Sequence, residues 1–226
     1  MNMFHVSAAC QDLGLRAGAI LYREVTIQPA PAALRAEIDM AASAVGRQIE
    51  TRSEIRQLPE IAQLHQVLRD IGVKPRRHPP SNQKLLEYAL KHGTLPAINN
   101  LVDAYNLVSL RTRASLGAHD AKRISSPVEL RIMTGKETFT PLGSSKPQAV
   151  VAGEFGYVDA EGRLLCRLDS LQADFSKVGD STRDVLVIAE FTTATPDQAR
   201  RAALELAMEV ISQHCGGTAE IVSMPG

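Results

Sequence analysis

The sequence predicts an α+β fold with a mostly antiparallel sheet. Three observations lead to this prediction. The first half of the 226-residue chain carries apolar residues at helical spacing, the second half carries short runs of β-forming residues between turns, and the chain closes on a well-marked helix. Helices and strands that are segregated along a chain are typical of α+β proteins.

Four helices are predicted in the first half of the chain. The segment PAPAALRAEIDMAASAVGRQIETRSEI places Leu34, Ile38 and Val45 on one face. A second helix, LPEIAQLHQVLRDIG, ends at Gly72, a third covers about residues 83–92, and a fourth covers about residues 97–110. The connector VKPRRHPPSN cannot be helical around its two adjacent prolines.

Strands are predicted on either side of these helices. One covers residues 18–27, and four more lie in VELRIMT, AVVAGEFGYVD, RLLCRLD and DVLVIAEF. In the terminal helix, Thr195 is expected to be the N-cap, with Pro196 at the first helical position and Gln198 completing a capping box. Its buried stripe is expected at Ala199, Ala203, Leu206 and Val210.

The composition excludes several classes of function. The chain has 25 basic and 25 acidic residues and lacks tryptophan, which argues against a base-stacking sheet and leaves any nucleic-acid contact to a local patch. Cys10, Cys166 and Cys215 are scattered, which indicates reduced thiols. With neither a signal-peptide pattern nor an apolar stretch of about 20 residues, we expect a cytoplasmic protein without a membrane segment.

The familiar cofactor and catalytic motifs are missing. The sequence contains no GxxxxGK[ST], no GxGxxG after a strand, no HExxH and no GxSxG, and its histidines stand alone. We therefore expect neither a cofactor nor a metal ion.

A polar stripe marks the fourth helix. Asn99, Asp103 and Asn106 share one face, because they are four and three residues apart, whereas most of the remaining helix is apolar. One interpretation is that these side chains cap backbone groups of neighbouring loops. The other is that they form the floor of a polar pocket.

Three further segments carry candidate functional residues. In LGAHD, Gly117 permits a turn and His119 is expected at a loop edge, either as a general base or as a structural histidine. Leu171–Phe191 contains many polar residues and is either a hydrogen-bonded turn or part of a site, and its Lys177 is either functional or one half of an exposed ion pair. KPRRH is either a solvated surface or a phosphate contact.

The same segments resemble a known family. INNLVDAYNLVSL followed by LGAHDAKRI is similar to the opening of the B-three/B-four domain of the bacterial phenylalanyl-tRNA synthetase β subunit, and ADFSKVGDSTRDVLVIAEF is similar to the segment that closes that domain. LRIMTGKETFTPLG resembles the intervening strand and turn, so that the resemblance covers about residues 74–191. The chain more closely resembles free-standing members, which lack the catalytic synthetase modules.

The resemblance implies a three-layered α+β module with an unusual β-sandwich flanked by helices. One domain would cover residues 1–226: an N-terminal strand and helical part (1–73), a core (74–192) and a C-terminal capping helix (193–226). The family hydrolyses the ester that joins a wrong amino acid to tRNA.

The resemblance also implies roles for individual residues. His119, Asp174 and Thr182 would be catalytic, although the family's site histidine falls on Gly117 and its pocket glutamate on Asp174. The remaining roles would be substrate binding and tRNA contact. Substrate-binding residues would be Asn99, Asn100, Asp103, Asn106, Gly117 and Lys177, and tRNA-contacting residues would be Lys74, Arg76 and Arg77.

Two main hypotheses of function follow. The first is a trans-acting aminoacyl-tRNA deacylase, which would place Lys74, Arg76, Arg77 and Lys177 on one side of the pocket mouth. The second is a module of the same fold that binds a free amino acid or the aminoacylated 3′ end of tRNA without hydrolysing it. A protein-interaction scaffold is a more distant possibility.

Overall fold

The computed structural model describes residues 3–226. These residues form seven helices and nine strands, which confirms the α+β class. The helices are α1 (Ala8–Asp12), α2 (Ala32–Gln48), α3 (Arg52–Gln57), α4 (Pro59–Asp70), α5 (Ser81–His92), α6 (Asn100–Thr112) and α7 (Asp197–Cys215). The strands are β1 (Phe4–Val6), β2 (Leu15–Arg23), β3 (Ser115–Asp120), β4 (Val128–Ile132), β5 (Phe155–Val158), β6 (Leu164–Arg167), β7 (Leu171–Gln172), β8 (Val185–Thr192) and β9 (Thr218–Ser223).

The strands form two sheets. The first has four strands in the order β3-β8-β2-β9, and the second has five in the order β1-β4-β5-β6-β7. All neighbouring strands in these sheets are antiparallel except β1 and β4, which are parallel. The predicted antiparallel character is therefore confirmed.

The two faces of β8 show how the layers stack. Its odd-numbered residues from Val185 to Phe191 pack in one core with helices α2, α6 and α7. Its even-numbered residues Leu186 and Ile188 pack in a second core with Phe4, Leu130 and other residues of the five-stranded sheet. The protein thus has three layers, one of helices and two of sheet, as the resemblance implied.

The predicted helices are found with shifted ends. α4 and α5 lie where the pattern placed them, and Gly93 ends α5 with a left-handed φ of 67°. The first predicted helix is interrupted, because Ile49 is extended and α3 begins anew after Thr51. Thr51 and Glu54 form a capping box at that point, a signal that the sequence carries within the apolar pattern.

The terminal helix begins one residue later than expected. Pro196 occupies the N-cap and Thr195 makes no side-chain cap bond, so the predicted capping box is wrong. The buried face runs through Ala203, Leu204, Ala207, Val210 and Ile211, whereas Ala199 is exposed. The four β-rich runs of the second half become β4, β5, β6 and β8, whereas the sequence pattern does not predict β1, β3, β7 and β9.

Asn100 at the start of α6 ties three segments together. Its Oδ1 accepts from the Gln28 amide at 2.9 Å, and its Nδ2 donates to the carbonyls of Thr26 at 2.8 Å and His214 at 2.9 Å. The side chain is fully buried. It therefore satisfies backbone groups between β2 and α2 and at the end of α7, which fixes α6 against both.

Asn100→Ala is expected to lower the free energy of unfolding by about 2–4 kcal/mol, because a fully buried side chain is removed and the three part-buried backbone groups that it bonds lose their partner. Urea denaturation measures this loss. The control is Asn99→Ala, which removes the α6 N-cap bond to the Val102 amide at 2.9 Å and is expected to cost about 1 kcal/mol. Equal losses in the two variants would show that Asn100 contributes only as a helix-end residue.

Candidate functional site

A pocket of about 420 Å³ opens between the helical layer and the sheets. Its walls come from α5, α6, β3 and the β6–β7 connection. The lining residues are Ser81, Lys84, Leu85, Tyr88, Leu95, Pro96, Ile98, Val102, Tyr105, Asn106, Leu116, Gly117, His119, Cys166, Asp169, Ser170 and Gln172. The volume is within the range that holds a small molecule such as an amino acid.

His119 lies in the wall of this pocket. It is 3% exposed, and its Nδ1 is 2.9 Å from the Ser176 hydroxyl. Burial lowers the pKa of the imidazole to about 4, so that the ring is neutral at pH 7. Because Ser176 occupies Nδ1, Nε2 is the ring nitrogen left to meet a bound ligand or water.

Gly117 lies in a strand, so the turn expected at LGAHD is wrong. The residue sits within β3 and pairs with Ile188 of β8, and His119 likewise lies in the strand rather than at a loop edge. No atom lies within 4 Å of the position that a Gly117 Cβ would occupy. The glycine therefore contributes open space to the pocket.

The polar stripe of α6 divides between the two interpretations. Asn106 lines the pocket. Asn99 caps the helix, and Asp103 accepts from Arg35 at 2.8 Å and from the Ile98 amide at 3.1 Å. Asn100 is occupied by the backbone groups described above. Two of the three stripe residues, and Asn100 beside them, thus brace the loops that shape the pocket, whereas Asn106 reaches its lining.

Asp174, Lys177 and Thr182 do not lie in the pocket lining. Asp174 accepts from Lys177 at 2.9 Å and from the Gly143 amide at 3.0 Å, and these hydrogen bonds lower the pKa of its carboxyl. The Thr182 hydroxyl is buried and donates to Asp120 at 2.7 Å. The structure brings His119, Gly117 and Asn106 together but does not bring these three residues to them.

Sequence reasoning missed an acidic side chain in the pocket, Asp169. Its Oδ2 accepts from the Ser81 amide at 3.0 Å, the Ser81 hydroxyl at 3.2 Å and the Ser115 hydroxyl at 3.0 Å. Burial outweighs these bonds and raises the pKa of the carboxyl to about 6. Leu168 and Asp169 both have left-handed φ angles, 54° and 62°, in the turn that presents this carboxyl.

A second acid, Glu190, lies deeper. A small inner cavity of about 30 Å³ is lined by Glu190, Tyr157, Ile188 and Ser115 and shares Leu116, Gly117, His119, Cys166 and Asp169 with the pocket. Tyr157 donates a hydrogen bond to Glu190 Oε2. Burial, with the nearby Asp169 carboxyl adding to it, raises the pKa of Glu190 well above its usual range. The sequence does carry a signal, because a carboxylate inside the apolar strand DVLVIAEF is rarely buried without a specific partner.

Cys166 lines both cavities but is not set up as a nucleophile. Burial raises the pKa of its thiol far above its usual range, and the charges of Asp169 and Glu190 raise it further. A cysteine acts as a nucleophile in its thiolate form, so this thiol remains unreactive at neutral pH.

A basic groove lies on the other side of α5. We use this name for the cleft of about 960 Å³ whose cationic lining residues are Arg56, Arg69, Lys74, Arg76 and Arg77. Gln83 and Glu87 of α5 line the groove, whereas Ser81, Lys84 and Tyr88 of the same helix line the pocket. The three cations predicted to contact tRNA therefore share one surface. That surface is separated from the pocket by α5 and does not include Lys177, so the predicted grouping of all four cations at the pocket mouth is not found.

Metal-binding clusters and membrane spans are both missing from the described part of the chain. Within residues 3–226, no three His, Cys, Asp or Glu side chains are grouped so that they could hold a metal ion. None of the helices in this same range combines the length and apolarity that a membrane span requires.

The layers and the pocket define a class of protein: a three-layered α+β module with a ligand-sized pocket beside the edge strand β3. The family model of the B3/4 domain matches residues 63–216, which is more than half of the chain, and the chain belongs to this family.

The solved structures that resemble this chain include one whose alignment covers nearly all of it. It is an N-terminal fragment of the phenylalanyl-tRNA synthetase β subunit from Pyrococcus horikoshii, at 12% identity and a TM-score of 0.49. The alignment covers 96% of this chain and 50% of that one, so the chain spans about half the length of the fragment. A comparison with the curated proteins finds no match.

Gly117→Ala is expected to change the free energy of unfolding by no more than about 0.5 kcal/mol, because the added methyl group enters open space. The matched control is Gly156→Ala, whose Cβ would lie 2.5 Å from Leu164 Cδ1 and 2.9 Å from the Cys166 carbonyl oxygen. That crowding is expected to cost about 1–3 kcal/mol. Chemical denaturation of both variants compares them, and a large loss in Gly117→Ala would contradict the open pocket wall.

Proposed function

We propose that this chain is a trans-acting aminoacyl-tRNA deacylase that hydrolyses the ester of mischarged tRNA in the pocket beside β3. The observation that carries the proposal is the placement of His119, Gly117 and Asn106 around a cavity of about 420 Å³. Membership of the B3/4 domain family and the resemblance of the α6 and β8 segments to a tRNA-editing domain support the choice of substrate.

The chemistry asks little of the protein. An aminoacyl ester is already activated, so a site needs only to hold a water molecule against the carbonyl carbon in an orientation that permits attack. In this proposal the neutral imidazole of His119 holds the water through Nε2 and accepts its proton, while Ser176 fixes the ring through Nδ1 at 2.9 Å. The products are the free amino acid and the tRNA 3′ hydroxyl.

The basic groove supports tRNA as the carrier of the amino acid. Its five cations, including the exposed Lys74, Arg76 and Arg77, face Glu87 as the one acidic residue of the lining. Such a surface attracts phosphates without reading base sequence. Since α5 separates groove from pocket, a strand bound in the groove would reach the pocket around one end of this helix.

One observation favours the alternative, a module that binds an amino acid or aminoacyl-tRNA without hydrolysis. The three residues that the resemblance makes catalytic are not assembled, because Asp174 and Thr182 lie outside the pocket lining and only His119 lies within it. A single histidine without an orienting carboxylate is a weak catalyst.

The deciding measurement is release of the amino acid from a panel of mischarged tRNAs by the purified protein. We expect selective release from one member. His119→Ala is expected to lower the rate by about 10²-fold or more, because the positioned base is lost. Since the pKa of His119 is about 4, the rate should show no histidine titration between about pH 5.5 and 7.5.

Three further variants make this assay specific. Gly117→Leu should abolish release by filling the pocket, and His5→Ala, which alters a half-exposed histidine paired with Glu129, should leave the rate unchanged. Asp174→Ala tests the catalytic role that only the resemblance gives to Asp174. A lower rate would support that role, whereas an unchanged rate would agree with the position of Asp174 outside the pocket lining. No release across the panel at high protein concentration would favour the binding module.

The double variant Arg76→Glu and Arg77→Glu is expected to weaken binding of uncharged tRNA at least tenfold at low salt. It should also flatten the dependence of log affinity on log salt by roughly 0.7–0.9 for each phosphate that the variant no longer neutralises. Filter binding over a salt series gives both quantities. Lys136→Glu, which removes an exposed cation outside the groove, is the control. An unchanged slope in the double variant would exclude the groove from tRNA binding.

A further inference from the structure

The inner cavity and the adjoining pocket are each lined by a residue with a buried polar atom that no group among residues 3–226 satisfies. Within the described chain, Glu190 Oε1 and the Ser170 hydroxyl are buried and have no hydrogen-bond partner. Glu190 is 4% exposed and lines the inner cavity, and Ser170 lines the adjoining pocket. A buried unpaired carboxylate oxygen costs about 1–3 kcal/mol or more, so a donor is expected to meet it when the pocket is occupied.

We propose that Glu190 and Asp169 form a recognition site for a primary ammonium group of the ligand at the inner end of the pocket. Both residues line the inner cavity. For Asp169, the three hydrogen bonds given by the protein all reach Oδ2, which leaves Oδ1 without a protein donor among residues 3–226. An ammonium has three N–H donors and can therefore serve both acids at once.

The size of the cavity fits this group. About 30 Å³ exceeds the roughly 10–15 Å³ of cavity that one water molecule needs, and an ammonium group is similar in size to water. The rest of the ligand would then lie in the larger pocket, against Gly117 and His119. A bulky apolar group could not enter the inner cavity without moving Tyr157 or Ile188.

The charge of the site favours a cation over a neutral donor. Two carboxylates that line one small cavity repel each other, which disfavours the state in which both are ionised. Lys84 lines the outer pocket, but within the described chain it forms no ion pair with either acid. A ligand ammonium would neutralise the pair and satisfy Glu190 Oε1 in the same step.

The inference rests on the proposed function only in taking the ligand to be an amino-acid derivative. The ammonium is either the α-amino group or the end of a basic side chain. Both sources present the same chemistry to the two acids, and matched ligands distinguish them.

The experiment is calorimetric titration of the full chain with pairs of methyl esters. The first pair, phenylalanine methyl ester and methyl 3-phenylpropanoate, differs in the α-amino group. The second pair, lysine methyl ester and norleucine methyl ester, differs in the side-chain ammonium. We expect the aminated member of at least one pair to bind at least tenfold more tightly, and the pair that shows the preference identifies the source.

Glu190→Gln should remove this preference and leave the affinity for the non-aminated ester within about threefold, since glutamine keeps an oxygen for Tyr157. Asp169→Asn is the second variant, because asparagine retains an acceptor for Ser81 and Ser115. Glu129→Gln, which changes a carboxylate paired with His5, is the control and should keep the preference. Circular dichroism verifies that each variant is folded.

Three results would overturn the inference. The first is equal binding of both members of each pair by the wild-type protein, and the second is a preference that survives in both Glu190→Gln and Asp169→Asn. The third is tighter binding of tyrosine methyl ester than of phenylalanine methyl ester, lost in Glu190→Gln, when neither the α-amino group nor the side-chain ammonium affects affinity. The two acids would then recognise a neutral hydroxyl group. Absence of deacylation together with a preserved ammonium preference would sink only the proposed hydrolysis, whereas deacylation without that preference would sink only this inference.

Discussion

The pairing of β2 with β8 is the constraint on which the rest of the molecule depends. Eight residue pairs, from Leu15 with Thr192 to Tyr22 with Val185, join the two strands at the centre of the four-stranded sheet. All eight residues of β8 are buried, because helices cover one face and the second sheet covers the other. Both faces must therefore be apolar, and the one charged side chain in β8, Glu190, requires partners within the protein or from a ligand.

The pocket exists because this central sheet has an edge. β3 is bonded to β8 on one side only, and on its other side lie α5, α6 and the β6–β7 connection. Individual hydrogen bonds tie β7 and the β6–β7 connection to the edge: Gln172 Nε2 donates to the Ala118 carbonyl at 3.0 Å, and the Ser115 hydroxyl donates to Asp169 at 3.0 Å. The lining is thus drawn from segments far apart in sequence. No local motif could contain them all.

Patterns with local physical causes could be read from the sequence. The helical periods of α4 and α5 and the apolar runs of β4, β6 and β8 predict those elements, and the spacing of Asn99, Asp103 and Asn106 predicts a polar stripe. The sequence also groups Gly117 and His119, although in a turn, and both line the pocket. Gly117 lies in a strand because its pairing with Ile188 satisfies its backbone, and periodicity over five residues cannot reveal such a partner.

Asp169 and Glu190 were not predicted to lie in the site for a similar reason, because their proximity depends on the packing of two sheets. The role expected of Asp174 comes from resemblance, whereas its carboxylate forms an exposed ion pair with Lys177.

The turn that carries Asp169 links the chemistry of the pocket to the packing of the core. Leu168 holds a left-handed φ of 54°, which costs roughly 1–2 kcal/mol for a residue with a Cβ. Its side chain is 1% exposed in the core between the sheets, and burial of a leucine stabilises by about 1.5–3 kcal/mol. Packing therefore compensates for the strained backbone. A glycine would adopt this φ without strain, but it would lose the buried side chain that holds the turn against the core. The orientation of the Asp169 carboxyl consequently depends on hydrophobic contacts of Leu168 in the core, outside the pocket. Substitutions in the core beneath the turn would therefore move this carboxyl within the pocket without changing any residue that lines it.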